Sequence, residues 1–141
     1  TYDGKVYDAA LIGYNEVADV AVIKANANLQ SLRFGDSDDV KVGERVIALG
    51  NPAGLSFTVT EGIVSAVHRT GPNGLNIYIQ TDVPINPGNS GGPLVDANSR
   101  IIGLNNFKIG GFEGLGFAIE SNAVKQVTDD IISQYLIQAQ Q

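Results

Sequence analysis

Gly88-Asn89-Ser90-Gly91-Gly92-Pro93 sets one hydroxyl among three glycines, an asparagine and a proline, between Ile77-Tyr78-Ile79 and Leu94-Val95. Glycine lets backbone amides approach a ligand without an intervening Cβ and tolerates positive φ. A tight bend of this kind can aim several N–H groups at one point beside the Ser90 oxygen. That is the arrangement of a nucleophile with an oxyanion hole, in which donors wait where negative charge develops during attack on a carbonyl. The same residues are also ordinary turn formers, and a plain bend between two strands satisfies the composition as well.

The elements that would position this bend follow from hydrophobic periodicity. Asp3-Gly4 reads as a hairpin turn whose preceding strand is absent. Strands are expected at Val6–Tyr14 and, after a turn at Asn15-Glu16, at Val17–Ala25. Asn26 to Val40 is polar and reads as a surface crossover. A buried strand at Val46–Leu49 closes at Gly50-Asn51-Pro52, and Phe57–Val67 follows with a bend at Gly62. His68 to Asn76 reads as an exposed loop, Ile77–Gln80 as the strand entering the serine bend. Leu94-Val95 and Ile101-Ile102 flank a hairpin at Asp96-Ala97-Asn98-Ser99. Asn105 to Gly114 reads as a mobile loop, and Phe117–Ile119 as the last strand. The period then changes to 3.6: Val124, Val127, Ile131 and Tyr135 form a stripe opposite Gln126, Asp130, Ser133 and Gln134. A helix packed on a barrel is expected, with Ser121 as its N-cap. The fold class is all-β, an antiparallel barrel with a C-terminal helix. Its boundaries are 1–25 for remnant strands of a first, partial barrel, 26–39 for a linker, 40–120 for a complete six-stranded barrel, 121–137 for the helix and 138–141 for a tail.

Bulk composition narrows the function classes. With 141 residues, 43% hydrophobic content and 17 glycines, the chain suits one turn-rich globular domain. Nine scattered basic residues against fifteen acidic ones, net charge −6, argue against nucleic-acid binding. Without cysteine there is neither disulfide framework nor cysteine-based metal site. Asp36, Asp38, Asp39 and Glu44 lack the spacing of a calcium loop and read as a solvated linker. No metal and no cofactor is expected. No apolar run approaches the roughly 18 residues of a membrane span. The opening Thr1-Tyr2-Asp3-Gly4 carries no leader-like residues and reads as the start of a fragment.

Gly88-Asn89-Ser90-Gly91-Gly92-Pro93-Leu94, preceded by Thr81-Asp82 and Ile85-Asn86-Pro87, resembles the serine loop of trypsin-like serine proteases of the HtrA/DegP type. The resemblance extends through Tyr7-Asp8-Ala9, Leu11-Ile12-Gly13-Tyr14 and Ala18-Asp19-Val20-Ala21-Val22-Ile23-Lys24. It continues in Gly35-Asp36-Ser37, Val42-Gly43-Glu44, Ala48-Leu49-Gly50-Asn51-Pro52, Thr60-Glu61-Gly62-Ile63-Val64-Ser65, Ile102-Gly103-Leu104-Asn105 and Gly116-Phe117-Ala118-Ile119.

That resemblance implies a serine endopeptidase of protein quality control acting on unfolded or extended polypeptides. Ser90 is then the nucleophile, Asp19 the carboxylate that orients the imidazole, and Gly88 and Ser90 supply the oxyanion-hole amides. The triad histidine belongs upstream of Asp19 in the family and does not occur in this chain. The sole histidine, His68, leads into a regulatory loop containing Gly71 and Gly74; Phe107 and Gly110 mark a second. Without its base the serine hydroxyl has nothing to accept its proton, and removing such a member costs on the order of 10⁶ in turnover. The chain alone is therefore expected to be inactive. Asn89 replaces the aspartate that pairs with a cut N-terminus in zymogen-type relatives, which leaves activation to loop rearrangement. Ile85, Leu115, Gly116 and Phe117 form an expected pocket for small aliphatic side chains, although Val83-Pro84 stands where the family has two alanines. Family habit implies an extracytoplasmic location, and the open edges of the remnant strands imply self-association. The competing reading is a protease-derived module that binds extended peptides without cutting them.

Overall fold

The computed structural model describes residues 1–51 and 57–140; Pro52 of the predicted Gly50-Asn51-Pro52 turn and Gln141 of the predicted tail lie outside the described residues. The chain forms two compact units, Thr1–Ser31 together with the chain from Val124 onward, and Leu32–Ala123.

In the second unit six strands close a barrel: β4 (Arg45–Gly50), β5 (Thr58–Thr70), β6 (Asn76–Thr81), β7 (Pro93–Val95), β8 (Arg100–Lys108) and β9 (Gly116–Glu120). They pair antiparallel in the order β8-β7-β4-β5-β6-β9, and β9 returns to pair with β8. Closure removes the unpaired edge groups that an open sheet would present. Each strand sends apolar residues inward: Val46 and Ala48, Val64, Ile79, Leu94, Ile102 and Ala118 meet Val40, Val83 and Ile85 in one core. Fully burying such side chains stabilises by about 1.5–3 kcal/mol for each larger one.

The sequence reading of a six-stranded barrel with a C-terminal helix agrees with this architecture. A short strand, β3 (Arg33–Phe34), lies inside the stretch expected to be linker and pairs parallel with β8. His68, Arg69 and Thr70 belong to β5 rather than to a loop, with His68 at φ 52 in a stretch where the ladder shifts register. Asn105 to Lys108 likewise belong to β8, so the expected mobile loop begins only after Lys108.

In the first unit β1 (Ala9–Asn15) and β2 (Val20–Ala25) form an antiparallel hairpin, shorter at its start than the sequence suggested. Val17 to Asp19 lie in its turn, where Asn15 Oδ1 accepts the Ala18 N–H at 3.0 Å. The helix α1 (Ser121–Gln138) buries Val124 and Ile131 on the predicted stripe, with Gln126, Asp130, Ser133 and Gln134 exposed. From Val124 it belongs with the hairpin, not with the barrel as expected; Ile131 lies so close to Gly13 that a Cβ there would fall 2.8 Å from its Cγ2.

The start of α1 is capped from a distance. Ser121 Oγ donates to Gly35 O at 2.9 Å instead of acting as N-cap, and Ser37 Oγ accepts the Asn122 N–H at 3.2 Å. Asp36 Oδ1 accepts from Asn122 Nδ2 (2.8 Å) and from Asp38 N–H (3.0 Å), which hold its carboxyl below the usual range. The motif Gly35-Asp36-Ser37 is thus the socket for the helix terminus, whose first N–H groups need acceptors.

The β7–β8 turn is organised by buried Asp96. One oxygen accepts the N–H groups of Asn98 and Arg100 at 2.9 Å each, and the other faces the Arg100 guanidinium at 2.8 Å. Burial alone would raise this carboxyl, but the Arg100 backbone N–H, the Arg100 guanidinium and the Asn98 N–H outweigh it and lower the pKa. A depressed carboxyl contributes stability that is full above its unfolded value and is lost as pH falls through the folded one. Asp96→Asn is therefore expected to flatten the loss of stability below about pH 4, and Asp96→Ala to cost about 2–3 kcal/mol at pH 7, both read by urea unfolding across a pH series.

Candidate functional site

The Gly88–Pro93 segment leaves β6 through an irregular stretch and enters β7. Gly88 and Gly91 have φ values of 107° and 82°, a region that side-chain-bearing residues rarely adopt. Asn89 is buried: its Nδ2 donates to Pro84 O at 2.9 Å, and its Oδ1 accepts the Asn86 N–H at 3.0 Å. An ion pair with a chain terminus has no counterpart there; the Asn89 amide ties the loop to its own approach segment.

The loop is also laced to its neighbours. Asn51 N–H donates to Gly88 O (2.9 Å), Gly92 N–H to Asn89 O (2.9 Å) and Asn89 N–H to Asn86 O (3.1 Å). Gly91 N–H donates to Asn105 O (2.7 Å), and Asn105 N–H to Gly92 O (2.9 Å). Ser90 Oγ is exposed and donates to Asn106 O at 2.9 Å. Among the described residues, the N–H groups of Gly88 and Ser90 find no acceptor, whereas those of Asn89, Gly91 and Gly92 all do. Two uncommitted amides therefore flank one serine hydroxyl.

Beside the loop lies a cavity of about 400 Å³ whose wall includes Ile85, Leu115, Gly116 and Gly110. Phe117 does not line it. Its ring stacks on Phe107 at 4.7 Å, and Phe107 meets Tyr78 edge-on at 5.4 Å, so both phenylalanines serve an aromatic cluster rather than pocket or loop. The wall carries more charge than the sequence suggested, since Asp82, Lys108 and Glu113 all reach it. Asp82 Oδ1 accepts the Ile63 N–H at 2.7 Å, and Lys108 Nζ donates to Asn86 Oδ1 at 2.9 Å.

His68 is placed elsewhere. Its Nδ1 and its backbone N–H both meet Oε1 of buried Glu120 at 2.9 Å, which commits it to the junction of β5 with the end of β9 and not to Ser90. Gly71 and Gly74 form the β5–β6 turn, with Gly74 N–H donating to Gly71 O at 3.0 Å. Asp19 is exposed in the hairpin turn at φ 56 between buried Ala18 and Val20; it belongs to the first unit, Ser90 to the second. Sequence reasoning missed the Asn105-Asn106 pair that holds the loop. Two successive amides after the apolar run Ile101–Leu104, against strand preference, were the available signal.

The glycine-rich serine bend is thus carried on a closed antiparallel barrel, and the Gly88 and Ser90 amides have no acceptor among the described residues. A family model described as a trypsin-like peptidase domain matches residues 1–104. Over 134 residues the chain is 47% identical to a probable periplasmic serine endoprotease, DegP-like, of Halomonas elongata, covering 92% of this chain and 28% of that protein. It is 45% identical over 146 residues to the serine protease Do-like HtrA of Bacillus subtilis, covering 94% and 32% respectively. The solved structure of the HtrA-type protease AlgW with a decapeptide matches with a TM-score of 0.87 at 42% identity, over 93% of this chain and 42% of that one. The chain belongs to the trypsin-like serine peptidases of the HtrA/DegP type. It spans about three-tenths of the length of these curated relatives.

Gly92 is tightly enclosed: a Cβ there would fall on the Leu49 carbonyl oxygen and lie 3.0 Å from Asn89 O. Gly92→Ala is expected to cost about 1–3 kcal/mol, read by urea unfolding, and to shift the amide NMR signals of residues 88–92 far more than those of β5.

Proposed function

We propose that this chain is the nucleophile-bearing part of an HtrA-type serine endopeptidase that hydrolyses peptide bonds through an acyl-enzyme on Ser90. The pair of uncommitted amides at Gly88 and Ser90, flanking an exposed hydroxyl, carries this reading. Attack by Ser90 Oγ on a peptide carbonyl would form a tetrahedral centre whose oxygen those two N–H groups receive. The carboxylate role falls to Asp19 on the strength of the Ala18-Asp19-Val20-Ala21-Val22 motif. The neighbouring cavity would take the substrate side chain before the cut. Ile85 and Leu115 favour a small aliphatic group there, and Lys108, Glu113 and Asp82 charge its wall.

The base that would take the Ser90 proton is a histidine in this family, and the only histidine of the sequence is His68, held by Glu120. The chain by itself is therefore inactive in our reading. Extended polypeptides are the proposed substrates, in keeping with the decapeptide and tripeptide in the AlgW structures. An extracytoplasmic location in quality control follows the relatives named periplasmic, and among the described residues no helix is long and apolar enough to cross a membrane. The alternative of a non-catalytic peptide-binding module draws on one observation: Ser90 Oγ is bonded to a carbonyl, Asn106 O, and not to a base.

A fluorophosphonate probe separates the two. The chain alone and the chain joined at Thr1 to the preceding segment of the Bacillus subtilis relative are compared, each with Ser90→Ala. Labelling confined to the joined, Ser90-intact form is the expected result. Labelling of neither form favours the binding module, and labelling of the short chain would mean that a base other than the family histidine serves Ser90.

Leu11, Tyr14 and Ile23 of the hairpin are exposed, as are Ile132, Leu136 and Ile137 of α1. We further propose that the chain alone self-associates through this apolar hairpin–helix unit. Light scattering should show a mass above 14.8 kDa that rises with concentration; a monodisperse monomer at high concentration would count against it.

A further inference from the structure

Asn105 is fully buried in β8 beneath the serine loop. Its Nδ2 lies 3.4 Å from Asn89 O and 3.3 Å from Pro93 O, one donor group between two carbonyls on either side of Ser90. Its backbone bonds Gly91 and Gly92. Its Oδ1 has no hydrogen-bond partner among the described residues. A buried acceptor without a donor is a cost that an apolar side chain of similar size would not carry. The amide at this position is thus accounted for by what its nitrogen does, and turning the amide round would leave the two carbonyls facing an oxygen.

The peptide unit joining Asn89 to Ser90 is planar and trans, so its C=O and its N–H point in opposite directions. Whatever holds Asn89 O therefore also sets the direction of the Ser90 N–H. Among the described residues two donors hold that oxygen, the Gly92 N–H at 2.9 Å and Asn105 Nδ2. We propose that Asn105 is a positioning residue of the oxyanion hole: through the Asn89 carbonyl it aims the Ser90 N–H at the developing oxyanion. This rests on the reading of Ser90 as nucleophile, but the orientation of the amide is testable without catalysis.

Two variants are informative. Asn105→Leu removes the donor while keeping an apolar side chain of similar volume. Asn105→Asp keeps the shape and makes the donor depend on protonation, since the acid can donate to Asn89 O and the carboxylate cannot. In the joined form described above, Asn105→Leu is expected to slow fluorophosphonate labelling by on the order of 10²-fold, the scale of losing one oxyanion-hole donor, with its unfolding midpoint near the parent's. In the chain alone, NMR of Asn105→Asp should show the Ser90 amide signal moving with pH through a single titration and returning towards the parent position in acid. Amides of β4 and β5 distant from the loop should stay still. A Ser90 amide signal that is independent of pH while the variant remains folded overturns the proposal, even if Asn105→Leu fails to fold. So does parental labelling by a folded Asn105→Leu. If the parent joined form does not label, the protease reading fails while the NMR titration still decides the role of Asn105.

Discussion

The pairing of β8 on both of its sides is the constraint on which the barrel and its site depend. One edge of β8 takes β7; the other takes the short parallel β3 at Arg100-Ile101 and, further along, β9, which closes the ring. Midway along the same strand, Asn105 and Asn106 supply the backbone groups that fix Ser90, Gly91 and Gly92. Barrel closure and loop shape are therefore not separate achievements. A strand paired on both sides cannot slip by one residue without reversing which face each side chain occupies, and this rigidity passes directly to the loop it holds.

Around that strand the polar interior is arranged by short-range answers to local needs. Asp96 gathers the N–H groups of a tight turn, Asn89 ties the loop to Pro84 and Asn86, and Ser37 accepts from the first turn of a helix more than eighty positions later. Glu120, buried where β9 meets α1, is answered by His68 through both ring and backbone. Each is a buried polar group with a partner, as an interior of low dielectric demands. Among the described residues, the unpaired Oδ1 of Asn105 is the exception.

Much of this was legible in the sequence. The strands with inward apolar residues, the hairpin at Asp96–Ser99 and the helical stripe through Val124 and Ile131 follow from periodicity alone. Long-range choices were not legible. Nothing in Arg33-Phe34 announces a parallel partner at Arg100-Ile101, and the amphipathic helix does not say which unit will cover it. His68 and Phe107 looked like loop residues because glycines and polar residues follow them, yet ladder bonds carry β5 and β8 past both. The serine loop was recognisable from its motif, while the residues that shape it lie over a dozen positions downstream, where only an out-of-character Asn105-Asn106 hints at them.

The order in which the chain is synthesised gives the β8 anchorage a meaning in time. Ser90 emerges from the ribosome well before Asn105 and Asn106, and until those two residues have followed, the loop lacks the partners of Ser90 Oγ, the Gly91 N–H and the Gly92 carbonyl. A nascent chain ending short of β8 thus carries the serine loop's sequence without its geometry. The hydroxyl is placed only when the barrel is nearly finished, so incompletely made molecules are kept from possessing a formed site.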